Sequence, residues 1–349
     1  MGAKKQKAAF VTGVTGQDGA HLAANLLRDG WRVYGGFRRG SSNKTWRMDS
    51  LGIREKIQLV ECQLGEPQHM TEIMRDVRPD HIYHLAGDSF VADSFKYPGV
   101  TLETNTHGTL NLLEAMRINL PESRLFFASS SEIYGRSGLT ESCNEATPCL
   151  PSNPYGISKL AAQHLVRLYR ETYGLFACSG ILFNHEGPLR GREFVTRKIT
   201  FNIARLKVSG GPPMQLGNMN IARDWGAAED YVAAMRAMLG QSKARDMVVA
   251  SGRLTTIRDF LVAAATVAGY DPVFEGSGLE EICIDRKSGM RLVEVAERYF
   301  RPYDTPSLVG DPTLLESITE WHRKQDLDEM VAEMVIADID RWKKGVTNV

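Results

Sequence analysis

Short apolar runs and longer amphipathic stretches alternate from the start of this chain. Ala8-Ala9-Phe10-Val11 reads as a buried strand, and residues 18–29 as a helix with Leu22, Leu26 and Leu27 on its inner side. Arg32-Val33-Tyr34-Gly35-Gly36-Phe37 is the next strand, followed by a polar loop through Arg47. Strands near 57–61, 81–85 and 124–128 come next, with helices near 67–77 and 105–118 between them. A helix carrying Tyr155 runs to about Tyr173, and a strand covers Ala177 to Leu182. This rhythm predicts an α/β protein built on a doubly wound parallel sheet.

After residue 183 the rhythm breaks. Loops lengthen at Gly187-Pro188-Leu189-Arg190-Gly191-Arg192 and at Gly210-Gly211-Pro212-Pro213, with helices near 195–207, 257–268 and 326–344. A strand near 246–250 reads as a return to the main sheet. The expected division is therefore residues 1–183, with that return strand, as a nucleotide-binding domain. Residues 184–349 form a smaller, partly interleaved C-terminal substrate-binding lobe.

Composition narrows the function classes. In 349 residues, 42 basic side chains balance 42 acidic ones, so the chain lacks the basic excess of a nucleic-acid binder. No apolar run reaches the ~18 residues that span a bilayer. The basic N-terminus lacks the apolar region and cleavage site of a signal peptide. Cys62, Cys143, Cys149, Cys178 and Cys283 are odd in number and form no CxxC pair, which fits reduced thiols in a cytoplasmic protein. The histidines show no metal-ligand spacing, and no metal is expected.

Between the first strand and helix stands Thr12-Gly13-Val14-Thr15-Gly16-Gln17-Asp18-Gly19. Glycines spaced this way after a strand give a tight turn and a close backbone approach to a pyrophosphate, at a helix N-terminus that favours anions. That is the fingerprint of a Rossmann dinucleotide site. At the end of the second strand come Arg38 and Arg39, with no acid until Asp49. Guanidinium groups suit a 2′-phosphate where an acid would suit a free hydroxyl, so NADP is expected over NAD. His84-Leu85-Ala86-Gly87-Asp88-Ser89 puts small residues where a nicotinamide ribose can pass. His84 and His107 read as structural, and Asn105 equally as a packing or a functional residue.

Ser129-Ser130-Ser131-Glu132 follows the apolar run Leu125-Phe126-Phe127-Ala128, and Tyr155 lies 23 residues beyond Glu132. Tyr155 and Lys159 are four apart and share one helix face. A cationic lysine beside a phenol favours the phenolate, which makes Tyr155 a candidate proton acceptor from a substrate hydroxyl.

These motifs, in this order and spacing, resemble the extended short-chain dehydrogenase/reductases that act on nucleotide sugars, and among them the GDP-mannose 4,6-dehydratases. The closer likeness is carried by Gly180-Ile181-Leu182-Phe183-Asn184-His185-Glu186, Phe194-Val195-Thr196-Arg197-Lys198-Ile199, Arg223-Asp224-Trp225-Gly226 and Tyr299-Phe300-Arg301-Pro302. It runs from about residue 6 to 340.

The resemblance implies a redox-neutral loss of water from a GDP-hexose, giving GDP-4-keto-6-deoxymannose. Tyr155, helped by Lys159, takes the C4 hydroxyl proton as hydride leaves for NADP+. Glu132 then removes the C5 proton and water departs from C6. Ser130 bonds the C4 oxygen. It also implies a cofactor site of Gly13, Thr15, Gly16, Gln17, Asp18, Gly19, Arg38, Arg39, Gln63, Leu64, Leu85, Ala86, Asp88 and His185, with Tyr155 and Lys159. Substrate contacts fall to Ser89, Ser131, Asn184, Val195, Lys198, Gly217, Arg223, Arg301 and Asp304, with Arg197 beside Lys198 as a further cation. A homotetramer is implied, through the loop Arg39 to Arg47, with a dimer as the alternative.

Departures bear on the sugar. Ser130 stands for a threonine, Gln63 for an aspartate, Asp88 for a glutamine and Asp304 for a glutamate, while His185-Glu186-Gly187-Pro188 replaces a serine-containing stretch. A dehydratase of another nucleotide sugar, such as a GDP-heptose, and an NADPH-dependent 4-keto-sugar reductase or epimerase remain as alternatives.

Overall fold

The computed structural model describes residues 6–40, 45–137, 142–299 and 307–347. In chain order the elements begin with β1 (Ala8–Thr12), α1 (Gln17–Arg28), β2 (Arg32–Phe37), α2 (Trp46–Ser50), β3 (Gln58–Glu61), α3 (Pro67–Val77) and β4 (His81–His84). There follow α4 (Val91–Lys96), α5 (Pro98–Leu102), α6 (Gly108–Asn119), β5 (Arg124–Ala128), α7 (Pro154–Tyr173) and β6 (Phe176–Leu182). The chain continues with β7 (Asn184–Glu186), α8 (Val195–Ser209), β8 (Met214–Leu216), β9 (Ala222–Ala227), α9 (Ala228–Leu239) and β10 (Met247–Val249). It ends with β11 (Leu254–Thr256), α10 (Ile257–Val267), β12 (Pro272–Glu275), β13 (Ile282–Asp285), β14 (Arg291–Val295), α11 (Thr313–Ile318) and α12 (Leu327–Lys343).

Two compact units emerge. The first takes residues 1–183, 228–250 and 310–322, and the second takes 184–227, 251–309 and 323–349. The chain thus returns to the first unit twice, bringing back α9 together with β10, and later α11.

The first unit holds a seven-stranded sheet in the order β10-β6-β5-β4-β1-β2-β3, parallel throughout. Its strands read as continuous apolar runs because helices cover both faces, and every residue of β1 is buried. Phe10, Ile82, Leu125 and Phe127 project into one core layer with Met74 of α3, Leu112 and Met116 of α6, and Val166 of α7. Strand order reverses between β1 and β4, the switch point where open α/β sheets bind ligands at the strands' carboxyl ends.

Local signals set the helix ends. Asn153 caps α7 by accepting from the Gly156 N–H at 2.8 Å, Pro154 occupies its first turn, and Gly174 closes it at φ 68°. The predicted helix near 105–118 differs at its start. Residues Glu103–His107 form a single π-helical turn leading into α6, a feature associated with functional sites.

The second unit carries two small sheets, β11-β9-β7 and β12-β13-β14-β8. Ile199, Ile203 and Leu206 of α8 meet Met330, Met334 and Val335 of α12 in its core, with Phe260, Leu292 and Trp225. Trp225 is buried and meets Phe260 edge-on at 5.3 Å.

Arg197 corrects the expectation placed on it. Its side chain is fully buried, 2.8 Å from the Asp338 carboxylate, and donates to the carbonyls of Pro188 and Arg190. Thr200 and Arg341 also donate to Asp338. The guanidinium therefore ties α8 to α12 and is withdrawn from ligand binding. Asp338→Ala would leave that cation buried without its counter-charge, so unfolding free energy is expected to fall by about 3–5 kcal/mol in urea titrations.

Candidate active site

The glycine turn sits against the loop after β4. Gly13 has φ 71°, and a Cβ there would lie 2.9 Å from the Ala86 Cα, so only glycine lets the two backbones approach. A Cβ on Gly19 would strike the Gly13 carbonyl. Gly16 opens α1 with no side-chain cap, and the positive end of the helix dipole favours an anion there. The Arg47 guanidinium donates to the Thr15 carbonyl at 3.0 Å and steadies the turn. Gln17 is buried, and Asp18 lies in the first turn of α1. This cradle suits a dinucleotide pyrophosphate.

A buried relay joins β1 to β4 beneath this turn. Thr12 Oγ1 accepts from the Leu85 and Ala86 N–H groups at 3.1 Å each, so its own proton goes to His84 Nδ1 at 2.9 Å. His84 then donates from Nε2 to Thr109, 3.1 Å away, and Thr109 donates to the Asn105 carbonyl at 2.6 Å. Burial, reinforced by the charge of Lys159, pushes the imidazole down to about 3, so it is neutral and structural.

Asn105 resolves its two readings in favour of an internal latch. Its side chain accepts from the Asp88 N–H at 2.9 Å and donates to the Asp88 carbonyl and to Ser158 Oγ. Ser158 in turn donates to the Tyr155 carbonyl at 2.7 Å. The loop bearing Leu85, Ala86, Asp88 and the exposed Ser89 is thereby fastened to the helix bearing Tyr155.

Tyr155 and Lys159 are both buried on α7. The Lys159 ammonium lies 5.9 Å from the centre of the Tyr155 ring and donates to the Ala128 carbonyl, at the end of β5, at 2.9 Å. Burial pulls the lysine down from its ordinary 10.5 to about 8, with the Asp88 carboxylate opposing. It stays charged at neutral pH, where it favours a phenolate one turn away.

Beyond Ala128 the chain turns through Ser129, Ser130 and Ser131, all buried. Ser129 donates to Gln163 of α7 at 2.5 Å, and Ser130 Oγ accepts the Glu132 N–H at 3.3 Å. Glu132 is half-buried, and its Oε2 accepts from the Asn153 amide at 2.7 Å. The first unit thus gathers a candidate proton acceptor, a buried cation and a carboxylate at the ends of β4 and β5 and the start of α7.

The remaining predicted positions distribute as follows. Arg38 and Arg39 are exposed just past β2. Gln63 and Leu64 follow β3, and the Leu64 carbonyl accepts from Asn111 at 2.8 Å. In the second unit, Asn184 and the buried His185 lie on β7, paired with Trp225 and Gly226 of β9. Val195 and Lys198 occupy the first turn of α8, which no side chain caps. The Lys198 ammonium lies over the Tyr299 ring at 3.6 Å. Gly217 follows β8, and Arg223 is half-buried on β9. Arg301 and Asp304 fall outside the described residues. Among the described residues no cluster of three or more metal-ligand side chains occurs, and no helix is long and apolar enough to cross a membrane.

Residues 10–334 match the family model described as GDP-mannose 4,6 dehydratase. The chain is 40% identical to the GDP-mannose 4,6-dehydratase of Yersinia enterocolitica, over 97% of this chain and 95% of that protein. The chain belongs to the GDP-mannose 4,6-dehydratase family. Membership makes it a nucleotide-sugar 4,6-dehydratase, a hydro-lyase.

Solved structures share the fold. The dTDP-glucose 4,6-dehydratase of Bacillus anthracis, in complex with NAD, superposes with a TM-score of 0.79 at 18% identity, covering 97% of this chain and 98% of that one. RMD from Pseudomonas aeruginosa, complexed with NADPH, gives 0.75 at 24% identity, covering 96% and 100%. Asn153 is the residue of this site that the sequence reading passed over. Its signal was the Asn-Pro pair directly ahead of Tyr155, a helix start that also places an amide beside Glu132.

The buried ammonium of Lys159 has a measurable consequence. A drop from 10.5 to about 8 costs the folded protein about 3 kcal/mol while the lysine is charged in both states. Lys159→Met removes that cost, apart from a pH-independent loss at the Ala128 carbonyl. Its stability advantage over the parent is expected to be largest below pH 8 and to shrink as pH rises toward 10.5, where the unfolded chain also loses the proton. Urea titrations of both proteins across this window check it, and a gap that ignores pH would contradict it.

Proposed function

We propose that the protein converts GDP-mannose to GDP-4-keto-6-deoxymannose, with NADP as its cofactor. The observation that carries this reading is Glu132, set at the end of β5 and bonded through Asn153 to the helix that bears Tyr155 and Lys159. Reductases and epimerases of this fold need the tyrosine and lysine but no second base for elimination. The glycine cradle, the switch-point position and the relatives' bound nicotinamide nucleotides support the cofactor.

A nicotinamide cofactor held by the glycine turn beside Tyr155 and Lys159 would supply the hydride chemistry between C4 and C6 of the sugar. The protein's own groups move the protons. Tyr155, as phenolate beside the Lys159 ammonium, takes the proton of the C4 hydroxyl. Ser130 bonds the oxygen that becomes the ketone, with Ser131 beside the proton path, and Ser89 bonds the sugar. The ketone acidifies C5–H, Glu132 takes that proton, and the C6 hydroxyl leaves as water.

In the second unit we assign the nucleoside diphosphate to Asn184, Val195, Lys198, Gly217 and Arg223. The open N-terminus of α8 and the Lys198 ammonium offer the charge that a diphosphate needs. His185 is assigned to the cofactor, and Arg301 and Asp304 to the nucleotide.

Arg38 and Arg39 support NADP over NAD. Arg38→Ala is expected to weaken NADP+ binding at least tenfold and NAD+ binding little, read by calorimetry.

Exposed Phe95, Tyr97 and Val100 on the α4–α5 stretch, with Ile157, Leu168 and Tyr173 on α7, are more apolar surface than a lone subunit hides well. They support a homo-oligomer, and we propose a homotetramer of a cytoplasmic protein. Of the loop from Arg39 to Arg47 assigned to the subunit contact, residues 41–44 lie outside the described residues. Light scattering at micromolar protein is expected to give four times the chain mass, and a fully active monomer would contradict it.

Glu132→Gln tests the reaction. The variant keeps hydrogen bonding but accepts no proton, so the first hydride transfer is expected to proceed and the elimination to slow by ~10²–10⁴. Reduced-nicotinamide absorbance then builds up without a deoxy product. Tyr155→Phe is expected to show no such build-up. Near-normal turnover by Glu132→Gln would remove Glu132 as the C5 base.

A further inference from the structure

We propose that Asn153 is a positioning residue that selects which oxygen of Glu132 carries the proton. This rests on the reading of Glu132 as the C5 base.

The Asn153 side chain is 3% exposed and serves two elements at once. Its Oδ1 accepts the Gly156 N–H at 2.8 Å, and its Nδ2 donates to Glu132 Oε2 at 2.7 Å. The amide has one workable orientation, because a flip would set N–H against N–H and oxygen against carboxylate. A second contact joins the same two elements. A Cβ on Gly156 would lie 2.5 Å from the Glu132 carbonyl oxygen, so glycine lets the first turn of α7 rest on the Glu132 backbone. The carboxylate is thus fixed to α7 through both its main chain and its side chain.

The chemistry follows from donor and acceptor counts. The amide N–H at Oε2 bonds best to an oxygen that carries carboxylate charge, and the hydroxyl oxygen of a carboxylic acid is the poorer acceptor. The bond therefore favours Oε2 as acceptor and the proton on the other oxygen. Among the described residues none donates to Oε1, which is left to take the C5 proton. As C5–H breaks and C5=C6 forms, the C6–O bond breaks, and the same proton passes from Oε1 to the departing oxygen as water. A helix cap alone would not require an amide here, since serine or aspartate caps as well. Asparagine accepts with one atom and donates with another, whereas serine has a single oxygen for both places and ionised aspartate has no donor.

Asn153→Ser and Asn153→Asp separate the two roles, with Glu132→Gln run alongside. Each is read by melting without ligand, by stopped-flow of reduced-nicotinamide absorbance, and by the pH profile of product formation. Asn153→Ser is expected to melt within a few degrees of the parent and keep the first hydride transfer within about threefold. Its elimination is expected to slow roughly ten- to hundredfold through loss of alignment, so reduced nicotinamide accumulates. Asn153→Asp puts a second carboxylate against Glu132, which disfavours its charged form. The acid limb of the elimination step is expected to move up by about one pH unit or more.

Equal slowing of both steps with an unmoved pH profile would make Asn153 a helix cap and nothing else. Parent-like behaviour of both variants beside a stalled Glu132→Gln would overturn the role of Asn153 alone. Normal turnover by Glu132→Gln would remove the base assignment itself.

Discussion

A single buried ammonium governs the arrangement of the candidate site in the first unit. Lys159 keeps its charge in a place where burial opposes it, and the structure holds it there with the Ala128 carbonyl at the end of β5 and the Asp88 carboxylate beyond β4. Both partners stand at carboxyl ends of strands, so the charge can be held only while β4, β5 and α7 keep their mutual register. The networks around it do that work. The Thr12–His84–Thr109 relay locks β4 to β1 and α6, and Asn105 fastens the Asp88 loop to α7. The site gives up stability to hold a cation one turn from the Tyr155 phenol.

The same economy appears at Glu132. Its carboxylate is neither buried in a strong ion pair nor left to solvent, but takes one neutral amide donor. A cation at that position would hold the carboxylate ionised and weaken it as a base. An amide orients it without placing a charge beside it. In the second unit the balance is opposite, since Arg197 and Asp338 are wholly buried against each other and serve packing.

Much of this was legible along the chain. Continuous apolar runs marked the parallel strands, the glycine turn marked the switch point, and the Tyr155–Lys159 spacing marked one helix face. What was not legible depended on contacts distant in sequence. Arg197 beside Lys198 reads as a surface pair, because its counter-ion lies 141 positions away. β7, β8 and β11 are three residues each, too short to show a period. The return of α9 and α11 to the first unit leaves no mark in composition. Asn105 and Asn153 are ordinary polar residues whose roles exist only once the loop and helix they join are adjacent. The π-turn that carries Asn105 has no sequence signature of its own.

In the proposed reaction one site oxidises C4, eliminates water across C5 and C6, and restores the sugar's hydride at C6 with no net redox change. GDP-mannose carrying deuterium at C4, incubated with the protein and a trace of NADP+, tests this most directly by mass spectrometry and proton magnetic resonance of the product. The expected product is lighter by one water, with the deuterium in its C6 methyl group and no accumulation of reduced cofactor. Deuterium retained at C4, lost to solvent, or collected stoichiometrically in the nicotinamide would contradict it.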